Sequence, residues 1–535
     1  MLITGGSATV TDLTGMPTQA ACMLIPVGVV IYVLVGGMRA SLMADYIHTT
    51  FLFAIILTFM FSVYATSDKI GSPSAMYAQL EAIAKENPIA GNAGGSYLTM
   101  RSKSGLIFGV INIIGNFATV YNDQAYWQRA IASEPVSCVK AFMLGGSAWL
   151  SIPLGFATTM GLAAVVLTKD PSFPGYPAHL TAGQVGAGLP APAAAAALMG
   201  KGGAALMLVL LFLAVTSAAS AELVAVSSLF TYDVYIPYIN PHATEKQILR
   251  VDHWAIVAYG VFMGILGLIF HAAGISMGWL YEFMGVILGS AVVPIAYCIM
   301  SPKANKWGAI AGAWIGVVCG VVAWLVTTST LNNGVLSITT TFGDYEMLAG
   351  NLASIGVGGI ITVTTSYIWP ENFDFDITRA LHAHSESPAE EEALEDAQVA
   401  EDGSEKGSDN KGTVDKEVSP APIKSAAASM EVPYNKEKDP LELEKAFKLA
   451  VWTSVGLFVV LILLIPLPLF FTSYIFPSAG FTAWIAIAFI WVFYGAGAVV
   501  LYPIYESRGA LKEIGGAIIR DIGGGGLRTA EKVEA

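Results

Sequence analysis

An all-α integral membrane protein is the fold class this sequence predicts, and three observations carry it. Hydrophobic residues make up 55% of the 535 residues and charged residues only 13%, half the charge of an ordinary soluble domain. Mean hydropathy is +0.62. The apolar residues also fall in runs of about 20, the length needed to cross a hydrocarbon core of about 30 Å. Nucleic-acid binding is excluded by a net charge of −13 with no basic tract to track phosphates.

The spans follow in chain order as 20–38, 47–66, 106–123, 141–168, 204–230, 254–272, 278–300, 308–328, 351–369 and 450–472, with an eleventh at 482–503. Gly and Pro inside them are tolerated in membrane helices, and Pro153, Pro294 and Pro466 are expected kinks. The opening MLITGGSATVTDLTG is too short and polar to span, lacks a basic n-region, and reads as the frayed end of something longer. The connection 67–105 contains a helical patch at 74–86. The connection 169–203 is Pro-rich and reads as a long external loop.

Arg39, Arg129, Lys140, Lys246, Arg250, Lys303 and Lys306 crowd one set of alternate short loops, which places that set in the cytoplasm. Four units result: a core with nine spans (1–370), an acidic linker (371–440), a helix pair (441–505) and a cytoplasmic tail (506–535). The linker holds 18 acidic and 7 basic residues, so it carries almost all the net charge. With few large apolar residues it is expected to be disordered and cytoplasmic. Its end, LELEKAFK, is expected to become helical and lead into the next span.

Cys22, Cys138, Cys298 and Cys319 lack any metal or disulfide spacing and read as buried small apolar residues. No HExxH, nucleophile elbow, Walker motif or Cys/His cluster occurs, so neither an enzyme nor a bound metal or cofactor is expected. The glycines 523–526 and those around Lys201 fail the spacing of a phosphate loop.

Polar residues where lipid should be default to functional candidates. Asn112, Asn116, Thr119 and Asp123 recur at i, i+4, i+7 and i+11, which aligns them on one helical stripe. Gly109 and Gly115 weaken that helix, and a discontinuous helix is one way to build a midplane site. The stripe serves either a substrate or interhelical hydrogen bonding. Asp123, Tyr126, Trp127, Gln128 and Arg129 stand at its cytoplasmic end, as a gate or an interfacial belt. In 204–230, Thr216, Ser217, Ser220, Ser227, Ser228 and Glu222 interrupt an apolar run. Ser217 and Ser220 share a face; Glu222 lies about 140° around from Ser217, so the two should not ligate one ion unless the helix is distorted. Asp45, Tyr46 and His48 stand at the start of the second span, and Tyr281 and Glu282 lie in 278–300.

Several stretches together resemble the urea active transporter branch of the sodium:solute symporter family in its fungal form. They are GSATVTDLTGMPTQAACMLIPVGVVIYVLVGG, DYIHT, IIGNFATVYNDQAYWQRAIAS, MGKGGAALM, AVTSAASAELVAVSSLFTYDVY, FGDYEMLAGN and WVFYGAGAVVLYPIYESR. The similarity covers about residues 1–370 and resumes over 441–508. It implies a LeuT-like fold of two inverted five-helix repeats with additional C-terminal helices, and uptake of urea at the plasma membrane driven by a proton or sodium gradient. Polyamines, carried by fungal relatives, are the alternative cargo; Glu222, Asp45, Tyr126 and Trp127 could serve a cation. A non-transporting sensor or inactive fragment is the remaining alternative.

The resemblance assigns Ala214 and Ser217 to a sodium site, with Ala218 standing where the family has a second hydroxyl. Ser220, Glu222 and Asp45 complete the expected ion-coupling set, Asp45 matching an aspartate near the ion exit. Asn116 matches a substrate-facing position, and Asn112, Thr119 and Tyr281 join it as expected urea contacts. Asp123, Tyr126 and Trp127 are the expected gate. The resemblance also places residue 1 at the end of the third core helix, which implies an N-terminally truncated form that does not transport by itself.

Overall fold

The structure, a computed structural model, describes residues 1–375 and 440–512 except Ala132, Glu134 and 510–511. Most of the acidic linker and most of the tail therefore lie outside the described residues. What is described is helical; pairing between extended segments is confined to the isolated bridges Asn92–Ser102 and Thr99–Ile475.

Among the described residues, eleven helical stretches are long and apolar enough to cross a membrane, and they coincide with the eleven apolar runs. In order, the helices are α1 (Leu2–Thr14), α2 (Thr18–Phe61), α3 (Pro73–Glu86), α4 (Lys103–Asn122), α5 (Gln124–Ile131), α6 (Pro135–Trp149), α7 (Thr158–Leu167), α8 (Ala182–Gly186), α9 (Pro190–Ser228) and α10 (Glu245–Ala272). They continue as α11 (Met277–Leu288), α12 (Val292–Met300), α13 (Lys306–Leu331), α14 (Ile338–Thr341), α15 (Asp344–Ile368), α16 (Pro440–Phe458), α17 (Pro466–Phe471), α18 (Ser478–Ala496) and α19 (Tyr502–Glu506).

The three expected proline kinks are local departures from α-geometry. Pro153 lies in a π-turn between α6 and α7, Pro294 follows a 3₁₀ turn at Gly289–Ala291, and Pro466 opens α17 after a π-turn. A proline has no N–H to give and its ring crowds the preceding turn, so the ladder re-forms around it. Within α2 the chain reverses at Gly37, whose φ of 53° and ψ of −145° suit glycine.

Three expectations are corrected. The opening segment is not frayed: α1 buries Ile3 through Ser7, with Gly5 against Met277 and Gly6 against Val215. The Pro-rich stretch from 190 is the beginning of α9 and not loop. Pro190 occupies the first turn, where no N–H is needed, and the alanines after it favour helix. The cysteines are not uniformly buried: Cys22 is, whereas Cys298 is exposed.

Small residues set the closest helix approaches, as expected where apolar burial alone gives lipid-embedded helices little reason to associate. On α13, Gly308, Gly312, Gly316 and Gly320 recur every fourth residue against α15. A Cβ on Gly316 would lie 2.6 Å from Cβ of Ser290 and 2.9 Å from the Gly358 nitrogen. On α10, Gly260, Gly264 and Gly267 admit Val30, Met23 and Ile3 in the same way. The first half of α2, α9 and α10 pack together where Val29, Val33, Ala219, Leu223 and Ile256 form one buried cluster. The C-terminal helices are tied to the connection after α3 by Thr99 Oγ1 donating to the Tyr474 carbonyl at 2.7 Å, and by the Phe476 N–H donating to the Leu98 carbonyl at 2.8 Å.

Candidate functional site: a polar groove at a helix break

The discontinuity at the third span falls at Asp123, not at the glycines. Helix α4 runs unbroken through Gly109 and Gly115, and Gly115 serves instead to admit Met284 at 3.2 Å. Asp123 is extended (φ −86°, ψ 112°), and its carboxylate accepts the Ala125 N–H at 2.8 Å, which starts α5 as a separate helix. The Trp127 indole N–H folds back to the Tyr121 carbonyl at 3.1 Å, satisfying an acceptor that the break leaves free.

Below this break lies a groove of about 280 Å³ between α5, the second half of α2 and the middle of α9. Asp123, Tyr126 and Arg129 line it from one side, His48 and Thr49 from another, and Ala214, Ser217, Ala218, Ala221 and Glu222 from the third. The small side chains of α9 make the wall wide, so Ser217 and Glu222 face the same groove although they are well separated around the helix. The carboxyls of Asp123 and Glu222 come within hydrogen-bonding reach of each other.

Asp45 knits the three walls together. Its carboxylate accepts from the Arg129 guanidinium at 2.8 Å and from the Ser217 hydroxyl at 2.5 Å. His48, three residues on and on the same face of α2, has a buried Nδ1 with no protein partner. Outside the membrane-spanning helices, burial raises the Tyr126 hydroxyl above its ordinary value, with Asp123 and Glu222 adding to the shift.

The other expected site residues are placed elsewhere. Asn116 Nδ2 donates to the Asn112 carbonyl at 2.8 Å, to Asn112 Oδ1 at 2.9 Å and toward the Tyr281 hydroxyl at 3.3 Å, while the Tyr281 hydroxyl donates to Asn112 Oδ1. Thr119 Oγ1 donates to the Gly115 carbonyl at 3.0 Å. Asn112, Asn116 and Thr119 thus join α4 to α11 and none of them lines the groove, whereas Asp123, the fourth residue of the stripe, does. Ser220 is fully buried between helices, donating to the Ser217 carbonyl at 2.8 Å and paired with Ser41 at 2.9 Å. Arg129, read from the sequence as part of a gate or an interfacial belt, is instead the partner of Asp45, and for His48 the spacing from Asp45 within DYIHT is the available signal.

With this geometry in hand, the comparisons with known proteins are informative. Residues 2–316 match the model of the sodium:solute symporter family. The chain is 39% identical to the urea active transporter of Saccharomyces cerevisiae, over 95% of this chain and 72% of that protein. It is 43% identical to a urea-proton symporter of Oryza sativa subsp. japonica, over 74% of this chain and 56% of that protein. Among solved structures, a Na+-coupled sialic acid symporter in an outward-open state aligns with a TM-score of 0.50 at 18% identity, covering 69% of this chain and 71% of that one. That likeness concerns the fold, and it agrees with the expected LeuT-like arrangement of helices. On the family match and the extent of these identities, the chain belongs to the sodium:solute symporter family.

Proposed function

We propose that this protein carries urea across the plasma membrane as an ion-coupled symporter, and that the groove beneath Asp123 is where urea and the coupling ion meet. The observation that carries the reading is the groove's set of groups. Urea is neutral, with one strong acceptor and four N–H donors. The Asp123 and Glu222 carboxyls offer acceptors to its N–H groups, and Ser217, Tyr126 and the unpartnered His48 can complete its hydrogen bonding. The names of the relatives point to the same cargo; the polyamine alternative has no such support.

For the coupling ion, the facing carboxyls favour a proton. Two carboxylates have no donor between them, so a hydrogen bond linking them needs one proton. The sodium alternative is weakened by Ala214 and Ala218, which offer no side-chain oxygen. The Asn112–Asn116–Tyr281 cluster then acts at one remove, pinning α4 to α11 so that the break at Asp123 keeps its place.

Radiolabelled urea uptake tests the reading. An inward proton gradient should drive accumulation, and Glu222→Gln should abolish that drive while urea exchange persists. Accumulation that follows sodium and ignores Glu222→Gln would overturn the proton assignment. Saturable uptake of spermidine that urea does not inhibit would overturn the cargo.

A further inference from the structure

A second cavity has no part in this reading. It is a slot of about 740 Å³ between α6, α16 and the α18–α19 arm. Its floor is Lys140, Ala141, Leu144 and Ser147; one wall is Leu449, Thr453 and Leu457 at four-residue spacing on α16. The other wall runs along the α18–α19 arm from Trp491 and Tyr494 to Tyr502 and Glu506.

Three features define what fits. The first is length. The α16 wall extends about 12 Å and the α18–α19 wall about 22 Å at 1.5 Å per residue, which brackets the roughly 15 Å depth of one leaflet of a 30 Å core. The second is polarity along the slot. The Trp491 N–H donates to the Ser147 carbonyl at 2.8 Å, and the Tyr494 hydroxyl pairs with Ser147 Oγ at 2.8 Å. The polar groups of Trp491, Tyr494 and Ser147 at the deep end are thus engaged, and apart from Thr453 the α16 wall is leucine. An extended polypeptide backbone would leave its own polar groups unsatisfied there. The third is charge at the mouth. Lys140 and Glu506 stand together at one end, the end where α6 and α16 begin and α19 finishes. Neither has an ion-pair partner among the described residues.

We propose that this slot is a phospholipid site. Its occupant is a glycerophospholipid with a zwitterionic primary-amine headgroup: the phosphate sits at Lys140, the ammonium at Glu506, and one acyl chain lies between α16 and α18. A purely anionic headgroup would satisfy Lys140 and be repelled by Glu506, so the paired opposite charges select the zwitterion. The small amine suits Glu506 better than a quaternary ammonium, because only the former donates hydrogen bonds to a carboxylate.

The test uses the whole chain in nanodiscs containing phosphatidylethanolamine, phosphatidylcholine or phosphatidylglycerol, extracted and weighed by native mass spectrometry. Phosphatidylethanolamine should survive delipidation about tenfold better than the other two; Glu506→Gln should remove that advantage, whereas Lys140→Ala should lower retention of all three by about tenfold, the loss of one charge-assisted hydrogen bond to the shared phosphate. Thr453→Trp, which fills the slot, should abolish retention of all three. Equal retention of phosphatidylglycerol overturns the headgroup assignment. Full retention by Thr453→Trp overturns the location, and a dimer lost in Thr453→Trp with no lipid bound to the parent protein assigns the slot to a second copy. A diazirine-tagged phosphatidylethanolamine on the unmodified protein keeps the test independent of variant folding: label should fall on residues 140–147 and 449–457, and label confined to other helices overturns the proposal.

Discussion

Asp45 and Arg129, 84 positions apart, form an ion pair of 2.8 Å that bridges α2 to the short helix after the break. Because Asp45 also accepts from Ser217 on α9, one carboxylate fixes the relative positions of three helices around the groove. Truncating either end strands a partly buried charge, which costs more than the pair itself contributes.

Arg129→Ala should therefore lower stability by about 1–3 kcal/mol, and Asp45→Asn by less, since its amide retains an acceptor for Ser217. Thermal unfolding of the purified variants in detergent checks the order. Arg129→Lys should recover only part of the loss, because an ammonium is a point charge without the guanidinium's planar fork.

The two polar clusters of α4 should separate by readout. Asn116→Ala removes donors to Asn112 and Tyr281, so it should cost about 1–2 kcal/mol of stability while the apparent affinity of the remaining transport for urea stays within about twofold. Asp123→Asn should act the other way, with stability little changed, because an Asn side chain still caps α5, and urea affinity reduced at least about tenfold. Uptake kinetics beside melting curves distinguish these; a fall in urea affinity in Asn116→Ala would return the stripe to the binding site.

Acid sensitivity of the connections that Lys69 and Asp170 join should trace to Asp170. Hydrogen bonds from the Ser172 hydroxyl and N–H, with Lys69 3.0 Å away, hold its carboxyl below the usual carboxylate range. A carboxyl depressed in the folded state contributes stability that is complete above its unfolded value, near 3.9, and lost as pH falls through the folded value. Melting temperature should therefore fall more steeply below about pH 4 in the parent protein than in Asp170→Asn.

Gly316→Ala should destabilise by about 1–3 kcal/mol, since the new methyl group would have to displace Ser290 and the α15 backbone together. Gly356→Ala, on α15 itself with open space around it, is the matched control and should be neutral or slightly stabilising. Melting temperatures of the pair decide it.

Sequence alone determined the eleven crossings, the proline breaks and the family, because each depends on local quantities. A run of 20 apolar residues commits a segment to lipid whatever its neighbours do, and a proline disrupts its own turn wherever it sits. It also put Asp45, Ser217 and Glu222 on a short list, since a polar side chain in an apolar run is conspicuous by itself. Tertiary structure decided which of these face one another. The Asn112–Asn116–Thr119 stripe has the right chemistry for urea, but its donors are consumed by Tyr281 and by the helix's own carbonyls. Ser220 is held by Ser41, whereas Ser217, three residues away, opens on the groove and meets Asp45. The break at Asp123 follows the same logic. Glycines lower the cost of interrupting a helix, but an interruption forms where its freed groups are satisfied, and here the Asp123 carboxylate and the Trp127 indole supply that at one residue.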